Sequence, residues 1–297
     1  LKGVYRRTWY RNRLQLARLA GAVEGLRGAG IACLVVDDAA LLSGYYGSFG
    51  ERPLQRTGVL VRTGRYADAV HVLECDAWSS QSPSDGSLLT SAGTRLFRDR
   101  TGSELELHAH FGAGISCDTY GLSDDADAIW NRARDLELEH SSMRCPGPEH
   151  TLLRLLAERD GWWPRARLLR ITDVALVLQQ WNGEWNLFLR EARNRHAMPQ
   201  VVERVGWLHS LQLEVPDPLL AMISEERVDL LDSLAHRAQR LSPAVARQLL
   251  RSRAVGPVRA AVELPAALRD GWGLEHTRSV PLTAARKLVS SFRAGSN

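Results

Sequence analysis

The sequence predicts an α+β protein, with helices and strands alternating in its first half and a second half that is mainly helical. Three observations carry this. Residues 31–36 (IACLVV) are a continuous apolar run of strand length that follows directly on a helical pattern. Residues 103–111 (SELELHAHF) alternate strictly, with Leu105, Leu107, Ala109 and Phe111 on one side and Glu104, Glu106, His108 and His110 on the other. Beyond Cys145-Pro146-Gly147-Pro148 the apolar spacing becomes helical and stays so.

Taken in order, Leu14, Leu16, Leu19, Val23 and Leu26 predict a helix over 12–29, which Gly28 and Gly30 end. The strand over 31–36 comes next. Asp37 and Asp38 follow it, and Asp38 is placed to cap a helix over 39–46. Residues 47–56 read as a loop, 59–61 as a second strand, 65–73 as a helix and 78–87 as a loop. The second half predicts helices over 149–159, 166–180, 185–195, 199–213, 225–239, 243–252 and 282–292. Pro216, Pro218, Pro243, Pro257 and Pro265 punctuate it. The expected division is residues 1–145 and residues 146–297.

The composition is that of a globular chain: 297 residues, 44% hydrophobic and 24% charged. Nearly all of the positive charge is arginine, because Lys2 and Lys287 are the only lysines. This fits either an arginine-rich composition or a surface that binds phosphate through planar guanidinium groups. The four cysteines form no CxxC pair, which excludes a zinc ribbon or a thioredoxin-type motif. No apolar stretch approaches 18 residues, so a soluble, cytoplasmic protein without a membrane partner is expected.

Several clusters are candidates for chemistry. Asp37 and Asp38 at a strand end complement a helix N-terminus or else ligate a metal. The Glu104, Glu106, His108 and His110 face is a half-exposed strand surface or a metal-binding face, since imidazole and carboxylate both suit zinc and manganese. Trp162, Trp163, Trp181, Trp185 and Trp207 are helix-packing residues or a stacking platform. From Arg237 to Asn297 there are eleven arginines and lysines against three acids. That segment is a solvated surface or a site for an anionic partner, with Arg247, Arg251 and Arg253 on one short stretch. No helix-turn-helix, RRM, KH or zinc-finger pattern accompanies it, so sequence-specific DNA binding is not expected.

The order of elements, and residues 28–61 (GAGIACLVVDDAALLSGYYGSFGERPLQRTGVLV) above all, resemble the uncharacterised bacterial nucleotidyltransferase family of the polymerase-beta-like superfamily. Glu106-Leu107-His108-Ala109, the stretch Arg170-Ile171-Thr172-Asp173-Val174-Ala175, and Glu184-Trp185 extend the likeness, which spans roughly residues 12–215. It implies a nucleotidyltransferase-like mixed sheet with flanking helices. It also implies a chemistry in which two divalent ions, held by a D-x-D pair and a third carboxylate, activate the attacking hydroxyl and stabilise leaving pyrophosphate.

This chain departs from the family pattern where the ions would be held. The D-x-D positions fall on Arg56, a permanent cation, and on Gly58, which has no side chain. The family's Lys-Gly is Asp37-Asp38 here. Glu106 stands at the third carboxylate, and Arg52 and Pro53 are kept. The resemblance therefore implies a protein that has lost metal-dependent transfer. It would act, without a cofactor, as a binding or accessory protein for a peptide or partner protein in a bacterial peptide natural-product pathway. The alternative is an active transferase with a rebuilt site using Mg2+ and a nucleoside triphosphate. Asp37, Asp38 and Glu106 would then be catalytic, with Asp37, Glu104 and Glu106 on the metal, and Arg52, Arg56 and His108 would bind substrate or phosphate. In the first case Arg56 is expected to pair with Glu106.

Overall fold

The computed structural model describes residues 2–81, 94–111, 126–138, 141–157 and 167–239. The helices expected over 243–252 and 282–292, the Arg247, Arg251 and Arg253 cluster, and Trp162 and Trp163 lie outside the described residues.

α1 (Lys2–Gly28) starts ten residues before the apolar spacing does. Its first turns are exposed, and buried side chains recur only from Asn12 through Leu16, Leu19, Val23 and Leu26. The helix ends as expected. Gly30 takes a φ of 69°, and the amides of Gly30 and Ile31 bond back to the carbonyls of Arg27 and Leu26, both at 2.9 Å. Glycine suits this left-handed C-terminal cap because it has no Cβ to clash.

The chain then builds a five-stranded mixed sheet. β1 (Cys33–Val36) runs antiparallel to β2 (Thr57–Val61), and β2 runs parallel to β5 (Glu104–His108). β4 (Thr94–Arg98) and β3 (Ser79–Ser80) follow antiparallel, giving the order β1-β2-β5-β4-β3. Two helices join these strands, α2 (Asp37–Tyr45) and α3 (Tyr66–Cys75). The alternation read in residues 103–111 holds: Leu105, Leu107, Ala109 and Phe111 are all buried. Leu105 and Leu107 join Val35, Val59, Val61 and Phe97 in one core with the apolar stripes of α1 and α3. The opposite face carries Gly58, Glu106 and His108.

α4 (Ala126–Asn131) leads into a separate two-stranded ribbon, β6 (Arg134–Leu138) with β7 (Ser141–Cys145). Neither strand is evident from sequence, because polar residues fill their outer positions and, among the described side chains, burial falls on Leu136, Met143 and Cys145. α5 (Pro148–Ala157) begins where the periodicity changes, and α6 (Arg167–Gln179) and α7 (Trp185–Asn194) follow. The first compact unit takes in the described residues as far as Phe188, so α5 and α6 belong with the sheet. Trp181 and Trp185 stack at 3.9 Å within it, and Phe188 meets both edge-on.

The second unit begins at Leu189 and contains α8 (Met198–Ser210), α9 (Asp217–Glu225) and α10 (Leu230–Gln239). Ion pairs join its elements, Arg193 to Glu226 at 2.8 Å and His196 to Asp232 at 3.0 Å. α9 is absent from the sequence reading because Pro216 and Pro218 look like helix breaks. Pro218 in fact sits in the first turn, where the helix needs no N–H from it. No helix among the described residues is long and apolar enough to cross a membrane.

Candidate functional site

The register across three strands sets up the site. Val36 stands opposite Gly58, and Gly58 stands opposite Glu106. His108, two residues beyond Glu106, shares its face by strand alternation. At the end of β1 the backbone turns sharply at Asp37, whose φ is 59°. That left-handed turn is one that aspartate tolerates better than most residues, and it brings the Asp37 carboxylate back over Gly58. A Cβ at residue 58 would lie 2.1 Å from Asp37 Oδ2 and 3.0 Å from His108 Nε2. The glycine therefore provides the room that Asp37 fills.

Asp37 is almost fully enclosed, and Arg154 and His108 hold it. Arg154 from α5 donates to Oδ1 through Nε at 2.8 Å and through Nη2 at 2.5 Å. His108 Nε2 lies 3.1 Å from Oδ2 and 3.5 Å from Glu106 Oε2. Its other nitrogen, Nδ1, is 3.0 Å from the hydroxyl of Thr94 on β4. One ligand atom each from Asp37, Glu106 and His108 thus lies within 4.8 Å of the other two.

The two carboxyls respond differently to this setting. Burial works against the charge on Asp37, but Arg154, His108 and Arg56 outweigh it and hold the carboxyl well below its usual range. For Glu106, burial and the neighbouring Asp37 push the carboxyl up, against the charges of His108, Arg56 and Arg154. Arg56 thus acts electrostatically on both carboxyls, and Arg154 grips Asp37 through two hydrogen bonds.

Asp38 and Arg52 have a different place. Asp38 Oδ2 accepts the backbone amides of Gln55 and Arg56, both at 3.0 Å, so it holds the loop before β2 and does not cap its own helix. Its Oδ1 accepts from Arg52 Nη2 at 2.7 Å. Arg52 is 1% exposed and also donates to both oxygens of Asp173 on α6, at 2.7 and 2.9 Å, and to the Pro53 carbonyl. Tyr46 donates to Asp173 at 2.7 Å. Arg52 expected on phosphate, and Asp38 expected at the catalytic centre, are joined in this buried strut. Glu104 stands apart as well: it is exposed and pairs with Arg98, its register partner on β4.

A cleft of about 350 Å³, open to solvent, lies beside the cluster and is lined by Asp37, Arg56, Phe111, Thr151, Arg154 and Arg170 among others. Arg154 lies 5.3 Å above the Phe111 ring. Sequence reasoning missed Arg154, Thr94 and the role of Asp173. For Arg154 a signal existed: it is the lone cation in the apolar run TLLRLLA of α5.

A pair of magnesium ions with a nucleoside triphosphate does not fit these donors. Magnesium takes hard oxygen ligands, and neither Arg56 nor Gly58 supplies one. Glu106 stays available, but Asp37 Oδ1 is already engaged by Arg154 and its Oδ2 faces an imidazole.

The fold is of the α+β class, a five-stranded mixed sheet flanked by helices. Residues 1–206 match the family described as "Uncharacterised nucleotidyltransferase", and the chain belongs to that family. Among solved structures the chain is similar to an antigenic nucleotidyltransferase-like protein from Paracoccidioides brasiliensis. The identity is 14% and the TM-score 0.46, over 68% of this chain and 93% of that one. Among curated proteins, none matches the sequence.

Proposed function

We propose that this protein keeps the nucleotidyltransferase scaffold without two-metal nucleotidyl transfer and works as a cytoplasmic binding or accessory protein. One observation carries the proposal: the Asp37 carboxylate occupies the space over Gly58, 2.1 Å from where a side chain would begin, and is neutralised there by Arg154. A two-ion site needs an excess of carboxylate charge, whereas Asp37 and Glu106 here face the cations Arg56 and Arg154. Three arginines, Arg56, Arg154 and Arg170, line the adjoining cleft. Such a cleft suits a ligand with a carboxylate or phosphate group, because guanidinium donors match both. A peptide or partner protein presenting such a group is the ligand class we assign, in keeping with the peptide natural-product setting that the family resemblance implies.

The test is a transfer assay with α-labelled nucleoside triphosphates and Mg2+ or Mn2+. The expected result is pyrophosphate release at background and no labelled product. A second reading, an active transferase with a rebuilt site, draws on the approach of Asp37 to Glu106 within 4.8 Å. Release above background that Asp37→Ala and Glu106→Ala each abolish would overturn the first reading in favour of the second.

A further inference from the structure

We propose that Asp37, Glu106 and His108 form a binding site for a single divalent transition-metal ion of zinc type. It differs from the two-magnesium arrangement of nucleotidyl transfer, because neither Arg56 nor Gly58 takes part. The inference rests on the reading above in one respect, the position of Asp37 over Gly58.

Geometry is the first argument. Zinc bound by nitrogen and oxygen at about 2.0 Å in a tetrahedron requires ligand atoms about 3.3 Å apart. His108 Nε2 lies 3.1 Å from Asp37 Oδ2 and 3.5 Å from Glu106 Oε2, and all three atoms fall within 4.8 Å. Two edges of the triangle thus bracket the required length.

The second argument is the support behind the ligands. A histidine that binds metal through one nitrogen commonly fixes its ring through the other, and ligating carboxylates are in turn hydrogen-bonded. Thr94 Oγ1 lies 3.0 Å from His108 Nδ1, a distance at which it can accept the Nδ1 proton when the Nε2 lone pair binds an ion. Arg154 holds Asp37 through Oδ1, and Oδ2 is directed at His108. The third is the glycine: any Cβ at residue 58 would come within 3.0 Å of His108 Nε2 and closer still to Oδ2, so only glycine lets these atoms meet.

The donor set selects the ion. An imidazole with two carboxylates suits zinc or manganese over magnesium or calcium. Asp37 and His108 side chains are 1% and 7% exposed, whereas Glu106 is 24% exposed, which places the route of entry on the Glu106 side. The two carboxylates balance the ion's charge. Arg56 and Arg154 line the cleft beside the site, so an anionic co-ligand of the ion would meet guanidinium groups there.

The experiment titrates the chelator-treated full chain with Co2+ as a spectroscopic probe and then displaces it with Zn2+. The expected result is the visible absorption of a low-coordinate cobalt ion, lost on zinc addition. Binding should weaken by about tenfold or more in His108→Ala and in Glu106→Gln, and stay unchanged in Glu104→Gln. Zinc should also raise the melting temperature of the wild type and leave that of His108→Ala unmoved, a comparison that holds even where a variant folds less stably. No cobalt absorption, or equal binding by wild type, His108→Ala and Glu106→Gln, would overturn the proposal. Failure here leaves the transfer reading intact, since that reading is tested separately by pyrophosphate release.

Discussion

Gly58 and Asp37 share one space, and that pairing makes a prediction neither residue makes alone. Gly58→Ala places a methyl 2.1 Å from Asp37 Oδ2 and 2.7 Å from Val36 Cγ2; overpacking of this kind costs about 1–3 kcal/mol. Asp37→Ala leaves Arg154 without its carboxylate and puts alanine at a φ of 59°, so it should cost about 3 kcal/mol or more. Urea unfolding of both single variants and the double variant should show a cost well below the sum of the two, because one change removes the clash the other creates. Additive costs would mean that the two residues do not share the space. Restoring an aspartate at 58 should fail to rebuild a site for the same steric reason. At this scale the sequence was partly informative. Strand alternation alone places Glu106 and His108 on one face. The left-handed turn at Asp37 has no such signature, and the approach of Arg154 depends on how α5 packs, which periodicity does not encode.

The elements meet through Arg52, which ties α2, the loop before β2, and α6 together by way of Asp38 and Asp173. Its guanidinium contacts both oxygens of Asp173 and one of Asp38 at once, a geometry that a lysine ammonium cannot reproduce. Arg52→Lys should therefore destabilise the fold by about 2 kcal/mol or more, read as a lowered urea midpoint with an unchanged slope. A midpoint equal to wild type would show the strut to be dispensable. The resemblance marked Arg52 as a phosphate contact, but the charge balance of the site depends on an aspartate 121 residues away in sequence, and such a partnership is invisible locally. Elements with a clear pattern, such as α1, β1, β5 and, after Pro148, α5 to α8, were legible. β6 and β7 were not, because their burial comes from tertiary packing. α9 was hidden by prolines whose position in a first turn makes them harmless.

For the whole molecule, the α+β order was evident from the change of period near Cys145, whereas the first compact unit continues to Phe188, because α5 and α6 pack with the sheet that carries the site. Charge is uneven along the chain. The segment from Arg237 to Asn297, with eleven basic residues against three acidic ones, is proposed to bind an anionic partner. Its binding should weaken steeply with salt and be lost when Arg247, Arg251 and Arg253 are all changed to Glu; salt-insensitive binding would argue for a plain solvated surface. The central claim concerns the cleft: an Asp37–Arg154–His108 cluster stands where paired carboxylates would hold magnesium. Calorimetric titration of the full chain with ATP, once with Mg2+ and once with EDTA, tests this most directly. The account predicts the same affinity under both conditions, since any contact with the arginines needs no metal. A magnesium-dependent gain of about tenfold or more, 1.4 kcal/mol, would contradict it.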